Sequence, residues 1–329
     1  MKKVSWGILS TAKIGLEKVI PAMQAGEFCD IKAIASRDKS QAESAAKLLG
    51  IPVSYGSYEE LLQDSSIEAI YIPLPNNLHL EWALKAIKAG KHVLCEKPIA
   101  LNAAEATELQ KAAQNSPQLK VMEAFMYRFH PQWLHVKKLV NEGKIGDLKT
   151  IQAFFSYYND DPKNIRNSAE AGGGGLMDIG CYCISQSRFI LDREPIQVQG
   201  IVEYDKQLRV DTKASAILDF GDCTASFICS IRTYPHQNFK IFGTKGLIEI
   251  EIPVNIPVET TRIWLETDKK REEILFEPQN QYTIQGDLFS KAILDNIDVP
   301  TSLTDAVNNM KVIEAIKESN ETKGWVTVG

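Results

Sequence analysis

The chain has no apolar run long enough to cross a membrane and no cluster of lysines and arginines anywhere in its 329 residues. The first absence excludes a spanning helix, which needs about 20 consecutive apolar residues. The second, with a formal net charge of -5, argues against electrostatic capture of nucleic acid. Cysteine is sparse: Cys29, Cys95, Cys181, Cys183, Cys223 and Cys229 are scattered, mostly inside apolar patterns. That usage suits reduced thiols in a cytosolic protein better than a disulfide framework. Cys181 and Cys183 have no second Cys or His pair to complete a tetrahedral set, so no metal is expected. At the N-terminus, Lys13 and Glu17 break the apolar pattern too early for a signal peptide, and residues 4–9 read as a first strand. The chain reads as soluble and cytoplasmic.

What is there is ordinary in amount and regular in order. A hydrophobic content of 44% and a charged content of 24% are those of a globular protein. The length predicts about two domains. Strands are predicted at 4–9, 31–35, 67–72, 92–95 and 119–122, separated by helices at 14–25, 41–49, 58–63, 79–89 and 103–114. Such alternation implies an α/β, doubly wound parallel sheet over residues 1–122. After Glu123 the pattern changes to a helix at 131–141, a long strand at 148–158, a glycine-rich loop at 172–175 and a helix at 176–190. Period-2 segments follow at 196–204, 213–220, 224–231, 238–242 and 247–252, joined by short turns such as Gly221-Asp222. Ser302 or Thr304 offers a cap for a last helix through Ile316. Residues 123–329 therefore read as an α+β domain with one large, mostly antiparallel open sheet.

Four segments carry chemistry. The first strand runs into Ser10-Thr11-Ala12-Lys13-Ile14-Gly15, where a dinucleotide fingerprint would read G-x-G-x-x-G. Two of its glycines are replaced by the small Ser10 and Ala12, which still allow close approach of a pyrophosphate to the backbone and helix N-terminus. The second strand ends in Ser36-Arg37-Asp38. Ser36 and Arg37 suit a 2′-phosphate, favouring NADP(H) over NAD(H); the alternative makes Asp38 the acidic ligand of a ribose hydroxyl. The loop Pro73-Leu74-Pro75-Asn76 leaves another strand where it can press on a nicotinamide ribose, and Asn76 can cap the next helix. His79 is grouped with that loop, although alone it reads as a satisfied structural histidine.

The segment His92-Val93-Leu94-Cys95-Glu96-Lys97-Pro98 is a short buried strand ending in a charged turn. Ligands of open α/β sheets bind at that carboxyl edge, which makes Lys97 a candidate catalytic cation. In the second half, Gly172-Gly173-Gly174-Gly175 carries a large entropic cost, explained by close approach of the backbone to a ligand. On the helix that follows, Asp178 and Tyr182 stand at i and i+4 and share a face. A carboxylate beside a phenol can bind a substrate hydroxyl and relay its proton, and a nearby ammonium would lower the phenol from its usual pKa near 10.

The segments SWGILSTAKIG, AIASRD, YIPLPNNLH, CEKP, EAFMYRFHP and GGGGLMDIGCYC together resemble the glucose-fructose oxidoreductase / inositol dehydrogenase / MocA-like family. The look is closest to its branch of dimeric dihydrodiol dehydrogenases and NADP-dependent xylose dehydrogenases. The resemblance implies hydride transfer between nicotinamide and a sugar, cyclic polyol or vicinal diol. It makes Lys97 the catalytic lysine and Tyr182 the acid/base; Asp178, on the same helix face as Tyr182, is expected to hold a neighbouring hydroxyl. It also implies a cofactor role for Glu96, a cis bond before Pro98, and lining roles for Arg128 (substrate) and Arg166 (cofactor). A homodimer through the exposed face of the large sheet is implied as well. Two alternatives stay open on the same scaffold: a cofactor-sensing regulator, and a glycosidase that uses bound nicotinamide transiently.

Overall fold

The computed structural model describes residues 2–329. They form two compact units, residues 2–126 with Gln281–Val307, and Tyr127–Asn280 with Asn308–Gly329. The first holds β1 (Val4–Leu9), β2 (Cys29–Ala35), β3 (Val53–Tyr55), β4 (Ala69–Ile72), β5 (His92–Glu96) and β6 (Val121–Ala124). All pair in parallel, in the order β3-β2-β1-β4-β5-β6. β4 is buried at every residue, as a parallel strand covered on both faces must be. The order reverses between β1 and β4, which makes that point the crevice of a doubly wound sheet.

The connecting helices are α1 (Ile20–Gln24), α2 (Lys39–Leu49), α3 (Tyr58–Gln63), α4 (His79–Lys88) and α5 (Ala103–Gln114). Asp38, Ser57 and Asn102 cap α2, α3 and α5 with their side chains, satisfying amides that the first helical turn leaves open. The helix expected at 14–25 is instead a π-helical turn, Gly15–Val19, followed by α1 with proline in its first turn. Asn76 lies in a 3-10 turn, and no side chain caps α4. The three-residue β3 escaped the sequence reading because it is too short to show a period.

In the second unit α6 (Pro131–Asn141) and α7 (Cys181–Leu191) accompany a nine-stranded sheet. Its strands are β7 (Leu148–Tyr158), β8 (Gln197–Tyr204), β9 (Asp211–Asp219), β10 (Thr224–Ser230), β11 (Arg232–Gly243), β12 (Gly246–Ile250), β13 (Thr261–Thr267), β14 (Lys270–Phe276) and β15 (Val326–Thr327). The order is β14-β13-β12-β11-β7-β10-β9-β8-β15, and every pairing is antiparallel except that of β7 with β10. Strand β14 opens on four consecutive charges, Lys270-Arg271-Glu272-Glu273, which hide its period; β13 before it shows apolar residues only at its centre, Ile263 to Leu265.

The sequence division at 122/123 puts everything after it in one domain, but α8 (Gln281–Leu294) packs with the first unit. Three contacts show why. A Cβ on Gly286 would lie 2.9 Å from Met23 and 3.1 Å from the Cys29 sulfur, so only glycine lets the helix sit this close. The Trp6 indole donates to Ser290 at 3.1 Å and its ring packs on Phe289. Asp287 accepts from the amides of Glu27 and Phe28 at 3.0 and 2.8 Å. A last helix, α9 (Leu303–Thr322), runs six residues beyond the expected Ile316. None of the helices is long and apolar enough to cross a membrane among the described residues.

Candidate active site

Strand register brings the first unit's candidates to one edge. Leu9 pairs with Ala35 and Ile72 with Cys95. Ser10, Ser36, Pro73 and Lys97 are therefore the residues at which, or one step after which, four neighbouring strands leave the sheet. Ser10 adopts φ 126°, a region that favours glycine, so the serine occupies a glycine-like backbone position at the first place of the fingerprint. Its hydroxyl donates to the Pro73 carbonyl at 3.2 Å and accepts from the Ala12 amide at 3.1 Å, tying the turn to the next loop. Thr11, Lys13 and Ile14 are at the surface, and no side chain caps the helical turn at Gly15–Val19. An uncapped helix start at the switch point is what a pyrophosphate needs, and the residues here fit it.

At the end of β2, Asp38 is committed to capping α2. It accepts from the Ser40 amide and hydroxyl at 2.9 and 2.7 Å and from the Gln41 amide at 3.4 Å, and these bonds hold its pKa below the usual carboxylate value. Ser36 is buried and accepts from the Asp38 amide, while Arg37 is exposed. The carboxylate expected as a rival ribose ligand thus serves the helix.

At β4 and β5, His79 is wholly buried and bridges two loops: Nδ1 faces the Pro98 carbonyl and Nε2 the Leu74 carbonyl, each at 2.8 Å. Burial lowers its pKa, the two carbonyls oppose this, and the Lys97 charge lowers it further. Grouped by sequence with the cofactor-binding residues, His79 is here the tie between the loop that carries Leu74 and the turn that carries Lys97. The Lys97–Pro98 peptide is cis. Glu96 accepts from the Tyr71 hydroxyl at 2.7 Å, and burial together with that carboxylate raises the Tyr71 pKa far above its usual value. From β6, Glu123 accepts from the Ile99 amide at 2.7 Å and steadies the same turn. In the sequence Tyr71 reads only as a strand residue, and Glu123 only as the point after which the pattern changes.

In the second unit, Asp178 stands in a π-helical turn, Leu176–Gly180, that leads into α7, where a continuous α-helix was expected. Such π turns recur at functional sites. The Tyr157 hydroxyl of β7 donates to Asp178 Oδ2 at 2.5 Å, and Arg166 Nε meets the same oxygen at 2.9 Å. Arg166, expected beside the cofactor, is thus engaged by Asp178. Burial, then the Asp178 carboxylate, pushes the Tyr157 pKa upward, so this phenol stays protonated. Tyr182 is buried, with the Phe155 and Tyr127 rings each 6.1 Å away. Arg128, expected to line the substrate, is 7% exposed; it donates to Ser185 at 2.7 Å and lies over Phe189, so it packs α7.

The glycine-rich loop approaches the chain itself where a ligand was expected. A Cβ on Gly173 would lie 2.4 Å from the Arg166 carbonyl oxygen, and the Gly174 amide donates to that oxygen at 2.9 Å. Gly174, at φ 113°, faces the buried carboxylate of Asp211, which accepts from the Leu176 amide at 2.6 Å. Arg232 completes the frame by donating to the Asn159 carbonyl and, at 3.0 Å, to Asn167 Oδ1. The sequence marks Tyr157 and Asn167 only as the ends of a loop that shapes the pocket, and it marks Asp211 and Arg232 not at all, because their partners lie 21 to 73 residues away.

Two family models match this chain. Residues 4–125 fit an oxidoreductase family with an NAD-binding Rossmann fold, and residues 133–249 fit the GFO/IDH/MocA C-terminal domain. The chain is 37% identical to a D-xylose 1-dehydrogenase (NADP(+)) of Haloferax volcanii over 96% of its length and 97% of the relative's. It is 33% identical to the trans-1,2-dihydrobenzene-1,2-diol dehydrogenase of Homo sapiens, over 77% and 76% of the two chains. A crystal structure of a 3-ketoreductase from Actinomadura kijaniata, in complex with NADP and TDP-benzene, superposes with a TM-score of 0.91 at 26% identity, covering 97% and 98% of the chains.

Proposed function

Because the chain belongs to the GFO/IDH/MocA family of NAD(P)-dependent oxidoreductases, we propose that it acts on a sugar, cyclic polyol or vicinal diol, or the matching carbonyl. The observation that carries this is Lys97 at the exit of β5, on the same sheet edge as the uncapped turn at the switch point. A bound nicotinamide dinucleotide would supply the hydride donor or acceptor. Tyr182 takes the hydroxyl proton in oxidation and returns it in reduction. Lys97 supplies the cation that favours the phenolate form during that exchange. Asp178, held by two donors, accepts from a hydroxyl beside the reacting carbon. Ser10, Thr11, Ala12, Lys13 and Ile14 would hold the pyrophosphate, and Pro73, Leu74, Pro75, Asn76 and Glu96 would border the nicotinamide ribose. The test is a nicotinamide-absorbance screen of the purified protein with D-xylose, D-glucose, myo-inositol and trans-cyclohexane-1,2-diol. No absorbance change with any of them, in either direction and with either cofactor, would sink the reading.

NADP(H) is the favoured cofactor, since Asp38 is spent on α2 and leaves Ser36 and Arg37 for a 2′-phosphate. Arg37→Ala is expected to shift the ratio of kcat/KM for NADP+ over NAD+ by about 10- to 100-fold toward NAD+, the worth of one charged hydrogen-bonded pair. An unchanged ratio refutes the assignment. A cytoplasmic setting is supported by six buried cysteines, none in a disulfide, and thiol titration of the unfolded protein without reductant should count all six.

The outer face of the large sheet supports a homodimer. It forms a depression of about 690 Å³ whose lining includes Phe154, Ile201, Ile217 and Ile228, with Ile201 69% exposed. Exposed apolar patches of this kind mark association surfaces. Ile217→Lys should halve the mass seen in sedimentation equilibrium, and a monomeric parent protein would rule the dimer out.

A further inference from the structure

We propose that Tyr157 is a positioning residue that sets how strongly this protein selects substrates with a hydroxyl next to the reacting carbon. The inference deepens the proposed function and rests on its assignment of Asp178 to that hydroxyl.

The terminal torsion of an aspartate is broad, so a carboxylate standing in a helical turn does not orient itself. Here two donors from outside that turn meet one oxygen, Oδ2: the Tyr157 hydroxyl at 2.5 Å and Arg166 Nε at 2.9 Å. The two supports differ in stiffness. The Arg166 side chain is 41% exposed and comes from the loop between β7 and the glycines. Tyr157 belongs to β7 and stands between two paired residues, Ser156, matched with both β10 and β11, and Tyr158, matched with β11. The stiffer support is therefore the phenol. It is held as a donor, because burial and the carboxylate both disfavour its ionisation.

The Asp178 side chain is 13% exposed, so water compensates little for an unmade bond there. A site built to accept from a substrate hydroxyl rejects the analogue that lacks it by leaving the acceptor unpaired. That rejection holds only while the carboxylate is fixed. Without the phenol it can turn toward Arg166 or solvent, and the penalty on the deoxy analogue falls.

The test compares the parent protein with Tyr157→Phe on two substrate pairs: D-xylose with 2-deoxy-D-xylose, and trans-cyclohexane-1,2-diol with cyclohexanol. Tyr157→Phe should reduce the preference for the hydroxylated member about tenfold, mostly through its KM, with NADPH affinity by fluorescence titration unchanged. Arg166→Lys, on the more exposed donor, should move the preference the same way by less; it keeps the test alive if Tyr157→Phe does not fold. An unchanged preference overturns the inference, as does an equal loss on both members of a pair, which a merely structural role would give. A parent protein that turns over the pairs without preference overturns it too and leaves the proposed activity standing. A parent protein that turns over no member of the wider screen removes the functional reading itself.

Discussion

Lys97→Met and Tyr182→Phe should each lower kcat/KM by about 10²- to 10⁴-fold, the usual contribution of a positioned proton-transfer group. For Tyr182→Phe, NADPH should still bind, because the phenol is assigned to the substrate's proton and the cofactor contacts are assigned to the first unit. The double variant should lose little more than the worse single one, since groups that act together in one proton transfer are not additive. Steady-state kinetics on the best substrate of the screen, with NADPH binding followed by fluorescence, check all three expectations. Turnover within a few-fold of the parent in either single variant would refute the mechanism. Loss in Tyr182→Phe together with loss of NADPH binding would instead point to unfolding of the whole chain, which a thermal melt of the variant would show.

Gly173→Ala should cost more stability than any other conservative change considered, about 3 kcal/mol or more. The added methyl would stand 2.4 Å from the Arg166 carbonyl oxygen and 2.7 Å from its carbon and from the Ile165 oxygen. These are backbone atoms, and no rotamer change relieves the clash. The segment they belong to is braced by Asn167, which donates to the Asp161 carbonyl at 2.8 Å, and by Arg232. Gly50→Ala is the control. Gly50 ends α2 at φ 65° with nothing near its missing Cβ, so that change carries only the backbone penalty, about 1 kcal/mol. Urea unfolding with thermal melts distinguishes the two. Equal costs would mean that the loop 159–168 gives way easily and is not a rigid support for Arg166.

The first unit was legible because its signals are local. Buried parallel strands give apolar runs, each run ends at a marked turn, and α3 and α5 fall where periodicity predicts them. The edge positions of Ser10, Ser36, Pro73 and Lys97 followed from those run ends alone. The four consecutive glycines were legible as a close approach, yet what they approach is the carbonyl of Arg166 and the carboxylate of Asp211. Glycine reports that a side chain would not fit, and carries no information about what takes its place. The sequence leaves Asp38 two roles, and its bonds to Ser40 and Gln41 commit it to the helix cap. α8 was silent for another reason: Gly286 in its interior weakens the helical signal, and the neighbours that make glycine necessary, Met23 and Cys29, lie more than 250 residues earlier.

The amino-acid sequence by itself determined a doubly wound sheet, a lysine at one of its strand exits, and an aspartate and a tyrosine four residues apart beyond a glycine-rich loop. These rest on period, run length and spacing, which act over a few residues. Only the tertiary structure decided that Tyr157 and Arg166 meet on one oxygen of Asp178, that His79 ties two loops, that Arg128 packs α7, and that Gln281–Val307 belongs with the first unit. Each of these joins residues distant in the chain, and their meeting depends on the packing of whole elements, which no local pattern encodes.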